Sequence, residues 1–171
     1  MKLPLILANI QNRILSPLAF QLSNYFPEKE SNTYAACRFN IDNLSVVFRC
    51  AKITPTKTGQ FVTIWKRLEN GPIAPFDVSD AVDLLVIYVE NENLSGLLVF
   101  PKRELLNQKI FSDKNKNGKR GIRVYPPWDQ NLNRQAQKTQ HWQLQYFIEI
   151  PAENFPDPER VKSLFTMNLP R

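Results

Sequence analysis

The sequence predicts an α+β fold: a single domain with a mixed, mostly antiparallel central sheet of about five or six strands, flanked by an N-terminal helix and a late helix. Three observations carry that prediction. Runs rich in β-branched and apolar residues, at 46–53, 61–65, 84–89, 97–100 and 120–125, fill the middle of the chain and are separated by Pro, Gly, Asn and Asp. Apolar residues at helical spacing are confined to the opening stretch and to 132–146. The size, 171 residues with 43% hydrophobic and 22% charged, is that of one ordinary globular domain with its own core. The expected division is one domain over 1–171, with 1–29 as a helical N-terminal extension and 149–171 as an irregular tail.

Leu3, Ile6, Leu7, Ile10 and Ile14 recur at helical spacing with Asn9, Gln11, Asn12 and Arg13 between them, so the chain opens with an amphipathic helix. Ser16-Pro17 reads as an N-cap and first-turn proline of a second short helix through Leu18, Leu22 and Tyr25, which Pro27 ends. The polar residues 28–32 lead into 34–39, the predicted first strand, and Asp42-Asn43 turns the chain into the central stretch.

That stretch, 49–67, reads RCAKITPTKTGQFVTIWKR and joins two strand-like runs through a connection bearing Pro55 and Gly59, as a hairpin does. Phe61, Thr63, Trp65 and Arg67 share one face of its second strand, and Val62, Ile64 and Lys66 the other. It holds Arg49, Lys52, Lys57, Lys66 and Arg67 and no acidic residue, so it either carries positive potential toward a ligand or uses its cations to guard a sheet edge.

Residues 68–72 form a turn, and from 73 to 83 Asp77, Asp80 and Asp83 recur at every third position. The near-continuous apolar run 84–89 predicts a strand buried on both faces. After a turn through Asn91 to Gly96, 97–100 forms the next strand, 102–109 a short helix, 112–118 a polar, flexible loop and 120–125 a strand stopped by Pro126-Pro127. From 132 to 146 neither Gly nor Pro occurs, and Ala136, Gln140, Gln143, Leu144 and Phe147 lie at helical spacing, which predicts the late helix.

Several enzyme classes drop out on composition. A single histidine, His141, rules out His-rich metal sites, no Gly-x-Ser-x-Gly suggests an acyl-transfer serine, and the five glycines form no phosphate-binding loop. Cys37 and Cys50 lie apart in apolar contexts and read as buried free thiols. No window approaches the ~18 apolar residues of a membrane span, and the apolar start lacks a cleavage site, so the expectation is a cytoplasmic protein without a membrane partner.

The net charge of +6 favours an anionic partner. Besides the central stretch, 102–123 collects Lys102, Arg103, Lys109, Lys114, Lys116, Lys119, Arg120 and Arg123 against Glu104 and Asp113, and is followed by Tyr125 and Trp128. Cations supply phosphate affinity and flat rings stack on bases, although Tyr125 and Trp128 suit the core equally well. The predicted nucleic-acid face is therefore Lys52, Lys57, Lys66, Arg67, Lys102, Lys119, Arg120 and Arg123, with Trp65, Tyr125 and Trp128 as rings. Asp77, Asp80 and Asp83 precede a buried strand, where magnesium-dependent nucleases place ligands, with Lys52 as the cation; turn-forming aspartates are the competing reading. No acidic residue has Lys two positions later, the spacing such sites favour. The third alternative is a regulator whose groove, lined by Trp65, Tyr125 and Arg123, takes a small anion or a protein partner. No cofactor is called for unless the nuclease alternative brings in magnesium.

The segments AKITPTKTGQFVTIWKR, PFDVSDAVDLL, LLVFPKRELL, GKRGIRVYPPWD and KTQHWQLQYF, in that order, resemble the MepB-like family of small bacterial proteins from about residue 30 to 147. The resemblance implies a compact cytoplasmic α+β domain, with nucleic-acid binding as its suggested role and some likeness to nuclease-type sheets, and brings no catalytic residue with it. The family pattern has glycine where this chain has Ala35.

Overall fold

The computed structural model describes residues 2–166. Helix α1 (Leu5–Ile10) continues into a wider π-helical turn, Gln11–Leu15, and a 3-10 turn, Ser16–Leu18. Its apolar spacing puts Leu7, Ile10, Ile14 and Leu15 into the core, as the sequence requires.

The predicted second helix stops there. Pro17 does open a helical turn, but Ala19 takes the left-handed conformation (φ 63) and ends it. Residues Leu22–Pro27 form strand β1 instead, because pairing with a neighbouring strand outweighs their weak helical preference. That neighbour is β2 (Cys37–Ile41), preceded by a 3-10 turn whose last cap is Ala35 at φ 52. This is the left-handed region that favours glycine, the residue the resemblance leads one to expect there.

Strand β3 (Leu44–Cys50) pairs antiparallel with β2. The predicted hairpin is shorter than its sequence suggests. At Ala51, whose N–H donates to the Tyr88 carbonyl at 2.9 Å, the chain leaves the sheet, and only β4 (Lys52–Ile53) pairs with the following β5 (Gln60–Thr63). Strands β6 (Trp65–Arg67) and β7 (Ile73–Pro75) close a small hairpin over the predicted turn.

Strand β8 (Leu84–Asn91) pairs parallel with β3 and antiparallel with β9 (Leu94–Pro101), which is followed by helix α2 (Lys102–Asn107). Leu84, Leu85, Val86, Ile87 and Val89 are all buried, as the run without alternation demands of a central strand. Strand β10 (Gly121–Val124) joins β5, helix α3 (Arg134–Gln143) follows, and β11 (Phe147–Glu149) adds the last edge to β9. The central sheet is thus six strands in the order β1-β2-β3-β8-β9-β11, mostly antiparallel with one parallel pair, alongside a three-stranded sheet β10-β5-β4.

The predicted irregular tail is partly regular: helix α4 (Pro158–Thr166) buries Val161, Leu164 and Phe165 on one face, and 167–171 lie outside the described residues. The loop at 112–118, predicted flexible, is tied to itself: Asp113 Oδ1 accepts from the N–H groups of Asn115 and Lys116, each at 2.8 Å, and Gly118 N–H donates to Ser112 Oγ at 2.6 Å. Among the described residues no helix is long and apolar enough to cross a membrane.

Candidate nucleic-acid interface

Alternation along the three-stranded sheet sets its two faces. Gln60, Val62, Ile122 and Val124 are buried, so Phe61, Thr63, Gly121 and Arg123 point the other way and remain partly exposed. Register places Lys52, Phe61 and Arg123 in one row across the three strands. Tyr34 extends the row, its ring edge-on to Phe61 with centroids 6.3 Å apart and with Lys52 Nζ 5.3 Å from its centroid. Gly121 makes room for the Phe61 ring, since a Cβ there would lie 2.7 Å from it.

Arg123 uses its guanidinium to fix the connection 54–59. Nε donates to the Thr58 carbonyl (3.1 Å), and Nη2 donates to Thr54 Oγ1 (2.7 Å) and to the carbonyls of Lys57 (3.2 Å) and Gly59 (3.1 Å). Gly59 is required on two counts: its φ is +85, and a Cβ would stand 2.6 Å from the Tyr125 ring. The connection that carries exposed Lys57 is therefore held in place from β10.

Between this sheet and α3 lies a cleft of ≈ 390 Å³, with Phe61, Lys119, Arg123, Tyr125, Thr139 and Trp142 in its wall and no Asp or Glu among the side chains that line it. A wider concavity of ≈ 510 Å³ beside β4 is lined in part by Glu90 and Glu92, which oppose an anion. Two glutamines dock α3 onto the end of β10. Gln143, 1% exposed, accepts from Tyr125 N–H at 2.9 Å and donates to the Arg123 carbonyl at 3.1 Å, and Gln140 donates to the carbonyls of Pro126 and Asp129 at 2.9 and 3.1 Å. In sequence both polar side chains stand in the apolar-spaced row of the predicted helix, a position that turns them toward the core.

Of the predicted cations, Lys52, Lys57, Lys119 and Arg120 are exposed around this sheet and make no ion pair among the described residues. The others are already engaged. Arg67 pairs with Glu30 at 2.7 Å, Lys102 Nζ donates to the Asp80 carbonyl at 2.5 Å, and Lys66 sits between Asp77 (2.9 Å) and Asp80 (2.6 Å). Arg49, 0% exposed, pairs with Glu28 at 3.1 Å and donates to the Thr63 and Phe48 carbonyls, so it brackets β3 to β5 and is closed to a ligand. Trp65 lies on β6 beside Arg67, away from the lining of the cleft, so the expected grouping of Trp65, Tyr125 and Arg123 is two-thirds assembled. Trp128 packs edge-on against Phe147, centroids 6.1 Å apart, as part of the core margin.

The aspartates do not gather with Lys52. Asp77 and Asp80 share Lys66, while Asp83 accepts from the Ser45 N–H at 2.8 Å and so anchors the starts of β3 and β8 to each other. Hydrogen bonds from Ser79 and Lys66 hold the Asp77 carboxyl down at about 2. Burial opposes the charge on Lys66, but its bonds to Asp80 and Asp77 prevail and raise its pKa. Among the described residues no three His, Cys, Asp or Glu side chains group as a metal site requires. Cys37 and Cys50 are free thiols pushed up to about 12 chiefly by burial, Cys37 deep in the core and Cys50 half-buried.

Residues 28–149 match the MepB-like family model, almost the span over which the quoted segments resemble it. The chain belongs to the MepB-like family. A solved structure described as the crystal structure of MepB is 37% identical, with a TM-score of 0.73 over 75% of this chain and 87% of that one. The bacterial homing endonuclease I-Ssp6803I aligns over 81% of this chain and 85% of its own at 17% identity and a TM-score of 0.45, too distant to bear on chemistry. No curated protein matches significantly. The three-stranded sheet, the connection 54–59 and α3 all fall within the MepB-like span, whereas α1, β1 and α4 flank it.

Proposed function

We propose that this chain binds nucleic acid through the outer face of the three-stranded sheet. Lys52, Lys57, Lys119 and Arg120 hold backbone phosphates, and Arg123 keeps the Lys57 connection in place. The observation that carries the reading is the separation of charge: the cations around this sheet are exposed and without carboxylate partners among the described residues, and the cleft beside them has no acidic side chain. Free cations beside partly exposed rings suit a polyanion with flat bases, because phosphate contacts release counterions and rings stack. Lys66, Arg67 and Lys102 take no part, since internal partners hold them.

Fluorescence anisotropy of labelled DNA and RNA, in single and double strands, over a salt series with and without magnesium tests this. The expected result is binding whose logarithm falls linearly with the logarithm of salt concentration, with intact probe recovered on a gel. Absence of binding at low salt overturns the proposal, and magnesium-dependent cleavage replaces it with a nuclease.

A further inference from the structure

We infer that the cleft between the three-stranded sheet and α3 receives one unpaired nucleobase, so that single-stranded nucleic acid, or a frayed strand end, is the ligand; this rests on the nucleic-acid reading above. At ≈ 390 Å³ the cleft lies at the lower end of ordinary ligand pockets, about 300–1,000 Å³. It has room for one nucleotide, and a base in an intact duplex is stacked and paired and must leave the helix to enter it.

The wall is built for a flat, neutral ring bordered by phosphate. Phe61, Tyr125 and Trp142 line it, and each is fixed from behind. Phe61 lies over Gly121 and Tyr125 over Gly59, positions where any Cβ would collide with the ring. Trp142 is backed by Phe100, centroids 5.1 Å apart. Rings that are already immobile lose little rotamer freedom when a base stacks on them. Lys119 supplies the charge at the wall, the Gln135 amide offers both a donor and an acceptor for a base edge, and Gln108, whose amide N–H donates to Glu104 at 2.8 Å, is held with its carbonyl left to accept. No acidic side chain is in the lining, where it would repel the phosphate that follows the base in; Glu104 stands behind Gln108 and is engaged by its amide.

The test compares a labelled oligothymidylate with a duplex of equal length, using the wild-type chain and Thr139→Trp. Thr139 lines the cleft from α3, and its hydroxyl bonds only back to the Gln135 carbonyl at 3.2 Å, so the larger ring fills the cleft while every cation is kept. The wild type is expected to bind the single strand about tenfold more tightly than the duplex, and Thr139→Trp to lose that preference with duplex affinity unchanged. A second readout does not depend on that variant folding: the oligonucleotide quenches tryptophan emission in the wild type, and the quench is lost in Trp142→Phe. Equal affinity for both probes with no quench overturns the inference and leaves the nucleic-acid reading standing. Binding of neither probe overturns both. Thymidine monophosphate binding as tightly as the oligonucleotide also overturns it, by making the cleft a small-molecule site.

Discussion

In the stretch 49–67, Arg49, Lys66 and Arg67 each end against carboxylates of the same chain, whereas in 114–120 Lys114, Lys116, Lys119 and Arg120 meet none among the described residues. The two stretches are alike in sequence, basic and nearly free of acid. The difference comes from what the fold brings to them. Glu28 and Glu30 arrive from the segment joining β1 and β2, and Asp77 and Asp80 from the turn before β8, and they neutralise Arg49, Lys66 and Arg67, leaving only Lys52 and Lys57 of that stretch without an ion pair among the described residues. The second stretch is answered only by Asp113, whose carboxylate is spent on its own loop. Basic composition therefore marks candidates, and topology decides which are left for a ligand.

The largest expected effect breaks the first region alone. Arg49→Ala removes a fully buried cation, strands the Thr63 and Phe48 carbonyls it bonds and leaves Glu28 with Arg38 alone at 3.5 Å, and is expected to destabilise the fold by about 3 kcal/mol in urea titrations. Nucleic-acid affinity of the molecules that remain folded should not change. A loss of affinity at wild-type stability would place Arg49 in the interface and undo the contrast.

Arg123→Ala should act in the opposite sense. It frees the connection 54–59, and re-ordering that loop on binding is expected to lower oligonucleotide affinity about fivefold, on the order of 1 kcal/mol. Arg123→Lys should not restore it, because a single ammonium lacks the fork that reaches four acceptors.

Acid sharpens the comparison further. The Asp77 pKa lies below its unfolded value, at about 2, so its stabilisation is complete above about pH 4 and is lost as pH falls toward 2. After allowance for solvent screening this amounts to about 1 kcal/mol. The stability gap between wild type and Asp77→Asn, followed by urea titration from pH 5 downward, should close over that window. The smallest effect is Ala35→Gly, which relieves a left-handed residue and is expected to raise stability by roughly 0.5–1 kcal/mol in the same assay.

Much of the fold was legible because its strands announce themselves locally. The unalternating run of β8, the polar punctuation around β9 and the Gly- and Pro-free stretch of α3 needed no tertiary information. Strand β1 was missed because its residues have no strand pattern of their own and become a strand by pairing with β2. The cut in the 49–67 hairpin was invisible for a similar reason: β5 takes β10, about sixty residues later, as its long partner. In the site, Lys52, Lys57, Lys119, Arg120, Arg123 and Tyr125 were named from composition and spacing, and the fold does assemble them around one sheet. Phe61 reads in sequence as a strand residue and Trp142 carries no signal of its own, since nothing in a linear sequence says that Gly121 will clear space for the one ring or that Phe100 will back the other. That Lys66, Arg67 and Lys102 were spoken for was equally hidden, because their partners lie up to 37 positions away.

The most direct test of the central claim is the salt dependence of single-stranded oligonucleotide binding for three proteins: wild type, the triple variant Lys52→Ala/Lys119→Ala/Arg120→Ala, and Arg67→Ala. The account predicts that the triple variant reduces the slope of log K against log salt by about two while Arg67→Ala leaves it unchanged, since each lost phosphate contact removes about 0.7 on single strands. Equal slopes for the triple variant and wild type, or an equal fall for Arg67→Ala, would contradict it.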